Sequence, residues 1–192
     1  MPEGPEIKRT ADRLADVLAG QHLQQVRFAV PGLQGWEDRL AGARVLSVMA
    51  RGKALLTRFD NGMTLYTHNQ LYGRWEVVEG RVLPSSRRRL RLMLGTHRHL
   101  ALLYSATEIE MLDEEAVGAH PYLSRLGPEL LDPGVDASQV KACLLQHPRR
   151  ALAGLLQDQS VLAGIGNYLC CEILHVAGLH PRRRVADLAP DQ

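Results

Sequence analysis

Cysteine and lysine are both scarce in this 192-residue chain, and the first scarcity excludes two kinds of site. Three cysteines, Cys143, Cys170 and Cys171, make neither a disulfide framework nor a CxxC metal pair. The vicinal Cys170-Cys171 pair is poorly placed to chelate one ion from one side, so no metal site is expected within these residues. No apolar stretch approaches the ~18 residues of a membrane span, and the charged N-terminus has no apolar signal core. A protein with no membrane partner is expected, with the cytoplasm as its default address. With 45% hydrophobic and 23% charged residues, the chain can bury one sizeable core or two small ones.

Lysine is the most informative shortage. The formal net charge is only +2, but of 23 basic residues just Lys8, Lys53 and Lys141 are lysines. The arginines cluster at Arg87 to Arg89 with Arg91, at Arg149 and Arg150, and at Arg182 to Arg184. Arginine's planar fork suits phosphate. Such runs are equally well read as solvated faces, and by themselves they identify no partner.

The texture of the chain changes near residue 110. Before it, short apolar or alternating runs over 23–30, 45–50, 54–59, 63–67, 75–78, 90–94 and 100–104 predict strands. Asp60-Asn61-Gly62 suits a hairpin, and the polar stretch 95–99 suits a connection. Spacing of this kind predicts an antiparallel sandwich or barrel. After residue 110 the pattern is helical: Val140, Cys143 and Leu144 follow Asp136, with Pro148 closing the segment, and Leu169, Ile173, Leu174 and Ala177 run from Asn167 to Gly178. The predicted class is α+β, with an N-terminal helix and β-sandwich over 1–112 and a helical domain over 113–192. The final stretch, 187–192, resembles the start of a further element, so that the second domain is expected to be incomplete.

One helix precedes the strands. Ile7, Ala11, Leu14 and Leu18 form a single apolar stripe, with Pro5 suited to the first turn and Gly20 to the C-terminal end. Glu3 and Glu6 suit the positive end of that helix as dipole-compensating acids. Pro2 has no such explanation. Initiator methionine is readily removed before a small residue such as proline, which would leave a secondary amine at the chain's start. With a pKa near ~7.7–8.0, an α-amino group is far more often neutral near neutral pH than lysine at ~10.4. Only a neutral amine attacks carbon to form a Schiff base.

Four segments then occur in order: PEGPEI at 2–7, RGKALL at 51–56, THNQLYG at 67–73 and LAGIGNYLCCEIL at 162–174. They resemble the signature segments of the formamidopyrimidine-DNA glycosylase and endonuclease VIII family of bifunctional DNA-repair glycosylases. The resemblance covers essentially the whole chain. It implies that the helical domain is a helix-two-turn-helix DNA-binding element and that the partner is damaged double-stranded DNA. It also implies a monomer, found in the bacterial cytoplasm and nucleoid-associated through DNA.

Residue by residue, the resemblance implies that Pro2 attacks C1′ of the damaged nucleotide and that Glu3 is the acid-base residue. Lys53 matches a lysine near the nucleophile and a target-strand phosphate, where an ammonium acts as a point charge. Glu6 supports the same site or merely compensates the helix dipole. Glu172, placed in the first turn of the Asn167 helix, matches another acidic position. Asn167 matches a phosphate-contacting asparagine, preceded by Gly164-Ile165-Gly166, whose glycines allow close backbone approach while the helix behind them presents unpaired N–H groups. Gln70, Leu71 and Tyr72 resemble a wedge that fills the stack once a base is extruded, which favours the endonuclease VIII branch and oxidised pyrimidines over the 8-oxoguanine branch. β,δ-Elimination would cut the strand. The family's C-terminal zinc finger is not among these residues, so no cofactor is expected in the chain, and zinc only in a longer one. The alternative expectation is a DNA-binding family member with weakened catalysis.

Overall fold

The computed structural model describes residues 1–189. Helix α1 (Gly4–Leu18) opens the chain and buries Ile7, Ala11, Leu14 and Leu18, as the stripe predicts. Eight strands follow: β1 (Gln25–Phe28), β2 (Val45–Arg51), β3 (Ala54–Phe59), β4 (Thr64–His68), β5 (Arg74–Glu79), β6 (Leu90–Gly95), β7 (His99–Tyr104) and β8 (Glu108–Leu112). They form two four-stranded antiparallel sheets, ordered β1-β6-β7-β5 and β2-β3-β4-β8. A short helix, α2 (Trp36–Leu40), joins β1 to β2.

One core joins the α1 stripe to residues of both sheets, among them Val45, Leu55, Phe59, Leu65, Leu92 and Leu103. Burying side chains of this size is favourable by about 1.5–3 kcal/mol each, so the sandwich is sealed by its own N-terminal helix. The β3–β4 hairpin turns at Asp60-Asn61-Gly62, where Gly62 has φ +80° and the Asn61 side chain accepts from the Met63 amide at 3.1 Å.

Strand β8 was not among the expected ones. Glu108 and Glu110 are exposed while Ile109 packs into the sandwich core and Leu112 into a separate cluster on the other face, and the strand pairs with β4 through Tyr66–Glu110 and Thr64–Leu112. Two acids in five residues mask so short an edge strand.

Beyond residue 112 lie α3 (Glu114–Ala119), α4 (Ala137–Leu145), α5 (Leu152–Leu156) and α6 (Asn167–Val176). Asp113 caps α3 by accepting from the Ala116 amide at 2.8 Å, and Asp136 and Gln139 cap α4 reciprocally at 2.9 Å. Leu152, Leu155, Leu156, Ile165, Cys170 and Leu174 form a second core. Cys170 is packed there with its Sγ 3.7 Å from the Ala153 carbonyl, whereas Cys171 is exposed. Of the expected terminal element, residues Val185–Asp187 form one 3-10 turn, and 190–192 lie outside the described residues. Among the described residues no helix is long and apolar enough to cross a membrane.

The two halves meet backbone to backbone. The Gly4 amide donates to the Gly164 carbonyl at 2.8 Å, and a Cβ on Gly164 would lie 3.2 Å from the Gly4 Cα. Gly164 also has φ +92°, a region that L-residues rarely adopt. Gly164→Ala is therefore expected to cost about 1–3 kcal/mol, several degrees of Tm for a chain of this size. Scanning calorimetry checks it; an unchanged Tm would mean that the seam is loose.

Candidate active site

The N-terminus of α1 runs directly into this seam. Glu3 is 7% exposed and spans both halves. Its own amide donates to the Glu6 carboxylate at 3.0 Å, within the reciprocal capping box of the α1 start. Its carboxylate also reaches across to α6, accepting from the amides of Gly166, Tyr168 and Leu169, each at 2.9 Å. These are three of the donors that the first turn of α6 leaves without intrahelical partners. Position 166 must be glycine for this to happen, because a Cβ there would sit 2.2 Å from Glu3 Oε1.

That arrangement corrects one expectation. The first-turn amides of α6 are not free for a phosphate, since Glu3 takes three of them. Asn167, the first residue of α6, is exposed, and Gly166 occupies the cap position with no side-chain cap. The close approach allowed by the Gly164-Ile165-Gly166 segment is made by Gly4 and Glu3 of the protein itself. A second correction concerns Glu172. It is the sixth residue of α6, not a first-turn residue, and it is exposed, away from the Glu3 carboxylate at the helix start.

Lys53 stands in the two-residue turn between β2 and β3, half-buried. Burial pushes its pKa below the usual lysine value, and the Glu3 carboxylate pulls it partly back. The ammonium is therefore within electrostatic reach of Glu3, and the structure brings Pro2, Glu3 and Lys53 into one neighbourhood. Pro2 itself is partly buried, directly after Met1, which is 64% exposed and open to an aminopeptidase. Glu6 lies one turn further along α1, 3.6 Å from the Arg9 guanidinium.

Met1 also lines an open cleft of about 910 Å³, whose other walls include Tyr66, His68, Glu108, His120 and Tyr122. The His120 ring packs 4.4 Å from that of Tyr66, and the His68 ring meets Tyr122 edge-on at 5.6 Å. Burial lowers the His68 pKa, against the opposing pull of Glu108. Burial likewise pushes the Tyr66 hydroxyl well above the usual tyrosine range. The walls thus combine aromatic rings with the carboxylates of Glu108, Glu110 and Asp158 and the Arg125 guanidinium.

At one edge of the cleft the chain leaves β4 and turns through 69–73 into β5. Leu71 and Tyr72 project from this turn, 60% and 70% exposed. Gln70 does not project in the same way: with φ +49°, its side-chain amide bonds to Glu108 and Thr107 and its backbone amide donates to His68 Nδ1 at 3.1 Å. Arg88, from the arginine cluster, donates to the Tyr72 carbonyl at 3.2 Å. The three loop residues therefore divide into one anchored and two free side chains. Among the described residues, no group of three or more His, Cys, Asp or Glu side chains is arranged to hold a metal ion.

Tyr122 and Glu129 could not have been picked from sequence. Both lie outside every motif, and both touch the Lys53 turn only because the fold brings residues some 70 positions apart together.

A family model described as the formamidopyrimidine-DNA glycosylase N-terminal domain matches residues 1–115. The chain is 50% identical over 194 residues to a Klebsiella pneumoniae protein named Endonuclease 8, a match covering all of this chain and 74% of that protein. A Pectobacterium carotovorum protein of the same name is 48% identical over the same span, again covering 74% of its length. Among solved structures, a complex between the Lactococcus lactis Fpg and DNA containing an abasic site superposes with TM-score 0.82 at 20% identity, over 98% of this chain and 72% of that one. A complex of MutM with DNA containing carbocyclic 8-oxo-G gives 0.81 at 20% identity, over 99% and 74%. At that identity the likeness concerns the fold.

Proposed function

The chain belongs to the formamidopyrimidine-DNA glycosylase and endonuclease VIII family of DNA-repair enzymes, and from that premise we propose that it is a bifunctional glycosylase and abasic-site lyase acting on oxidised pyrimidines in duplex DNA. The observation that carries the reading is the electrostatic pairing of Glu3 with Lys53 beside the chain's start, whose first residue, Met1, lines an open cleft. The endonuclease VIII branch is favoured by the names and identities of the bacterial relatives.

In this reading the first 112 residues carry the chemistry and 113–192 form a helix-two-turn-helix element that positions DNA. With Met1 removed, the Pro2 nitrogen has a lone pair; with Met1 attached it is an amide nitrogen and has none. Its attack on C1′ forms the C–N bond as the bond to the base breaks; the base leaves with that electron pair and takes up a proton, while the Pro2 nitrogen gives up its own and so regains a lone pair. Glu3 delivers a proton to the ring oxygen as the sugar opens, leaving an iminium between Pro2 and C1′. Loss of a C2′ proton then expels the 3′ phosphate, and a further elimination expels the 5′ phosphate.

Lys53 steadies a target-strand phosphate as a point charge. Leu71 and Tyr72 fill the stack vacated by the flipped nucleotide, and Asn167 contacts the backbone. Glu6 orients the Glu3 amide. Zinc enters only through a C-terminal zinc finger of the kind the family carries, and the protein acts on DNA as a monomer in the cytoplasm.

Base release from duplexes containing thymine glycol or 8-oxoguanine tests the substrate. Faster release of thymine glycol, by at least tenfold, is expected. Preference for 8-oxoguanine would move the chain to the other branch, and tight binding without release of either base would favour a DNA-binding protein with weakened catalysis.

A further inference from the structure

The turn that carries Lys53 is gripped from the far half of the chain. The Gly52 amide donates to Glu129 Oε1 at 2.6 Å, and the Lys53 amide donates to the Tyr122 hydroxyl at 2.8 Å. Arg51 completes the grip, with its Nε 3.7 Å from the same Glu129 oxygen. Every residue of Arg51-Gly52-Lys53 therefore has a partner among residues 122–129.

Both partners are firmly seated. Tyr122 and Leu126 pack on a core of Ala54, Leu56, Tyr66, Leu112 and Leu123. The Tyr122 amide in turn donates to Nδ1 of the buried His120 at 3.2 Å. Glu129 is fixed by the backbone around it: the Gly127 amide donates to the Gln159 carbonyl at 2.9 Å, and the Ala163 amide donates to the Pro128 carbonyl at 3.0 Å. Gly127 has no room for a side chain, since a Cβ would lie 2.5 Å from the Val161 carbonyl oxygen. The same 159–166 segment carries Gly164 and Gly166, which hold Gly4 and Glu3.

Gly52 completes the fit. It has φ +59°, and a Cβ there would stand 2.6 Å from the Tyr122 hydroxyl oxygen. Both partnered amides sit in a turn, where no strand neighbour satisfies them, and a half-buried donor without an acceptor is costly.

We propose that Tyr122 and Glu129 are positioning residues that clamp the Arg51-Gly52-Lys53 turn onto the helical half of the chain and so keep Lys53 within electrostatic reach of Glu3. The clamp makes the catalytic lysine and the catalytic carboxylate answer to one frame, because segment 122–129 grips the first and segment 159–169 the second. The two segments are themselves bonded to each other. Misplacing a reacting group by about 1 Å can lower a rate about a hundredfold, so the clamp is expected to appear in the rate more than in DNA affinity. The catalytic consequence rests on the function proposed above; the mechanical part does not.

Tyr122→Phe, Glu129→Ala and Glu129→Gln test both parts. Amide hydrogen exchange at Gly52 and Lys53, followed by NMR on the free protein, reads the clamp without any reaction. Borohydride trapping on an abasic duplex, under single-turnover conditions, reads the catalytic consequence. Exchange is expected to accelerate at least tenfold at Lys53 in Tyr122→Phe and at Gly52 in Glu129→Ala, and to stay near wild type in Glu129→Gln, whose amide oxygen still accepts. The trapping rate should fall between about tenfold and a hundredfold in the first two variants, with affinity for uncleaved duplex within about threefold of wild type. Glu129→Gln should restore the rate.

Unchanged exchange in Tyr122→Phe and Glu129→Ala overturns the clamp. Accelerated exchange with an undiminished trapping rate overturns its role in positioning Lys53. A Glu129→Gln variant as slow as Glu129→Ala overturns it as well, since the Arg51 ion pair and not the backbone hydrogen bond to the turn would then matter. If the wild-type protein forms no adduct at all, the proposed function fails, and the exchange data still decide the clamp.

Discussion

Blocking the Pro2 nitrogen is expected to reduce covalent trapping on abasic DNA to background. The reason lies in the valence of nitrogen. A proline nitrogen acylated by Met1, or by any added residue, carries its lone pair in a peptide bond and cannot attack C1′. Lys53 is the amine paired electrostatically with Glu3; burial holds its pKa below the usual lysine value and the carboxylate opposes that shift, so the blocked chain also tests whether Lys53 takes over. A chain with a non-removable N-terminal residue should fold, melt and bind uncleaved duplex like the processed protein, yet form no borohydride adduct. Intact mass reports whether Met1 has been removed, so the two populations can be compared directly. An adduct formed equally well by the blocked chain would eliminate Pro2 as nucleophile.

The second large effect concerns Glu3. Its carboxylate accepts three α6 amides, two on Oε2 and one on Oε1. In Glu3→Gln one of those oxygens becomes an NH2 group, and at least one α6 amide then faces a donor. Leaving a buried donor unsatisfied costs about 1–3 kcal/mol, so a lower Tm is expected. Loss of the acid should slow base release by about 10²–10⁴-fold, while binding of uncleaved duplex is kept. Gly166→Ala separates geometry from chemistry: its Cβ would lie 2.2 Å from Glu3 Oε1, displacing the carboxylate without altering it. A large rate loss in both variants is the expected result. Base release from Glu3→Gln at the wild-type rate would remove Glu3 from the acid role.

Much of the frame was readable because it follows local rules. The stripe Ile7, Ala11, Leu14, Leu18 predicted α1, and all four are buried. Seven of the eight strands announced themselves by alternation and turn residues; β8 did not, since Glu108 and Glu110 break an apolar pattern too short to survive them. The short helices α2 and α5, five residues each, carry too little periodicity to be seen.

The site was half legible. Pro2, Glu3, Lys53 and the 70–72 loop lie in contiguous motifs, whereas their arrangement depends on contacts across the chain. That Glu3 would cap α6, 163 positions away from Gly166, follows from no local pattern. The same holds for Tyr122 and Glu129, and for the anchoring of Gln70 by Thr107 and Glu108. Glycines carried the best hint of these meetings. Gly4, Gly52, Gly164 and Gly166 each stand where another part of the chain passes too close for a Cβ to fit without displacing its neighbour. Sequence order shows such a glycine but not its partner.

The most direct measurement is the site of the covalent bond. The processed protein is trapped on an abasic duplex with borohydride, digested, and the DNA-bearing peptide is identified by mass spectrometry. The account predicts a single adduct on the N-terminal peptide, at the nitrogen of Pro2. An adduct on the peptide that carries Lys53, or on any internal lysine, would contradict it.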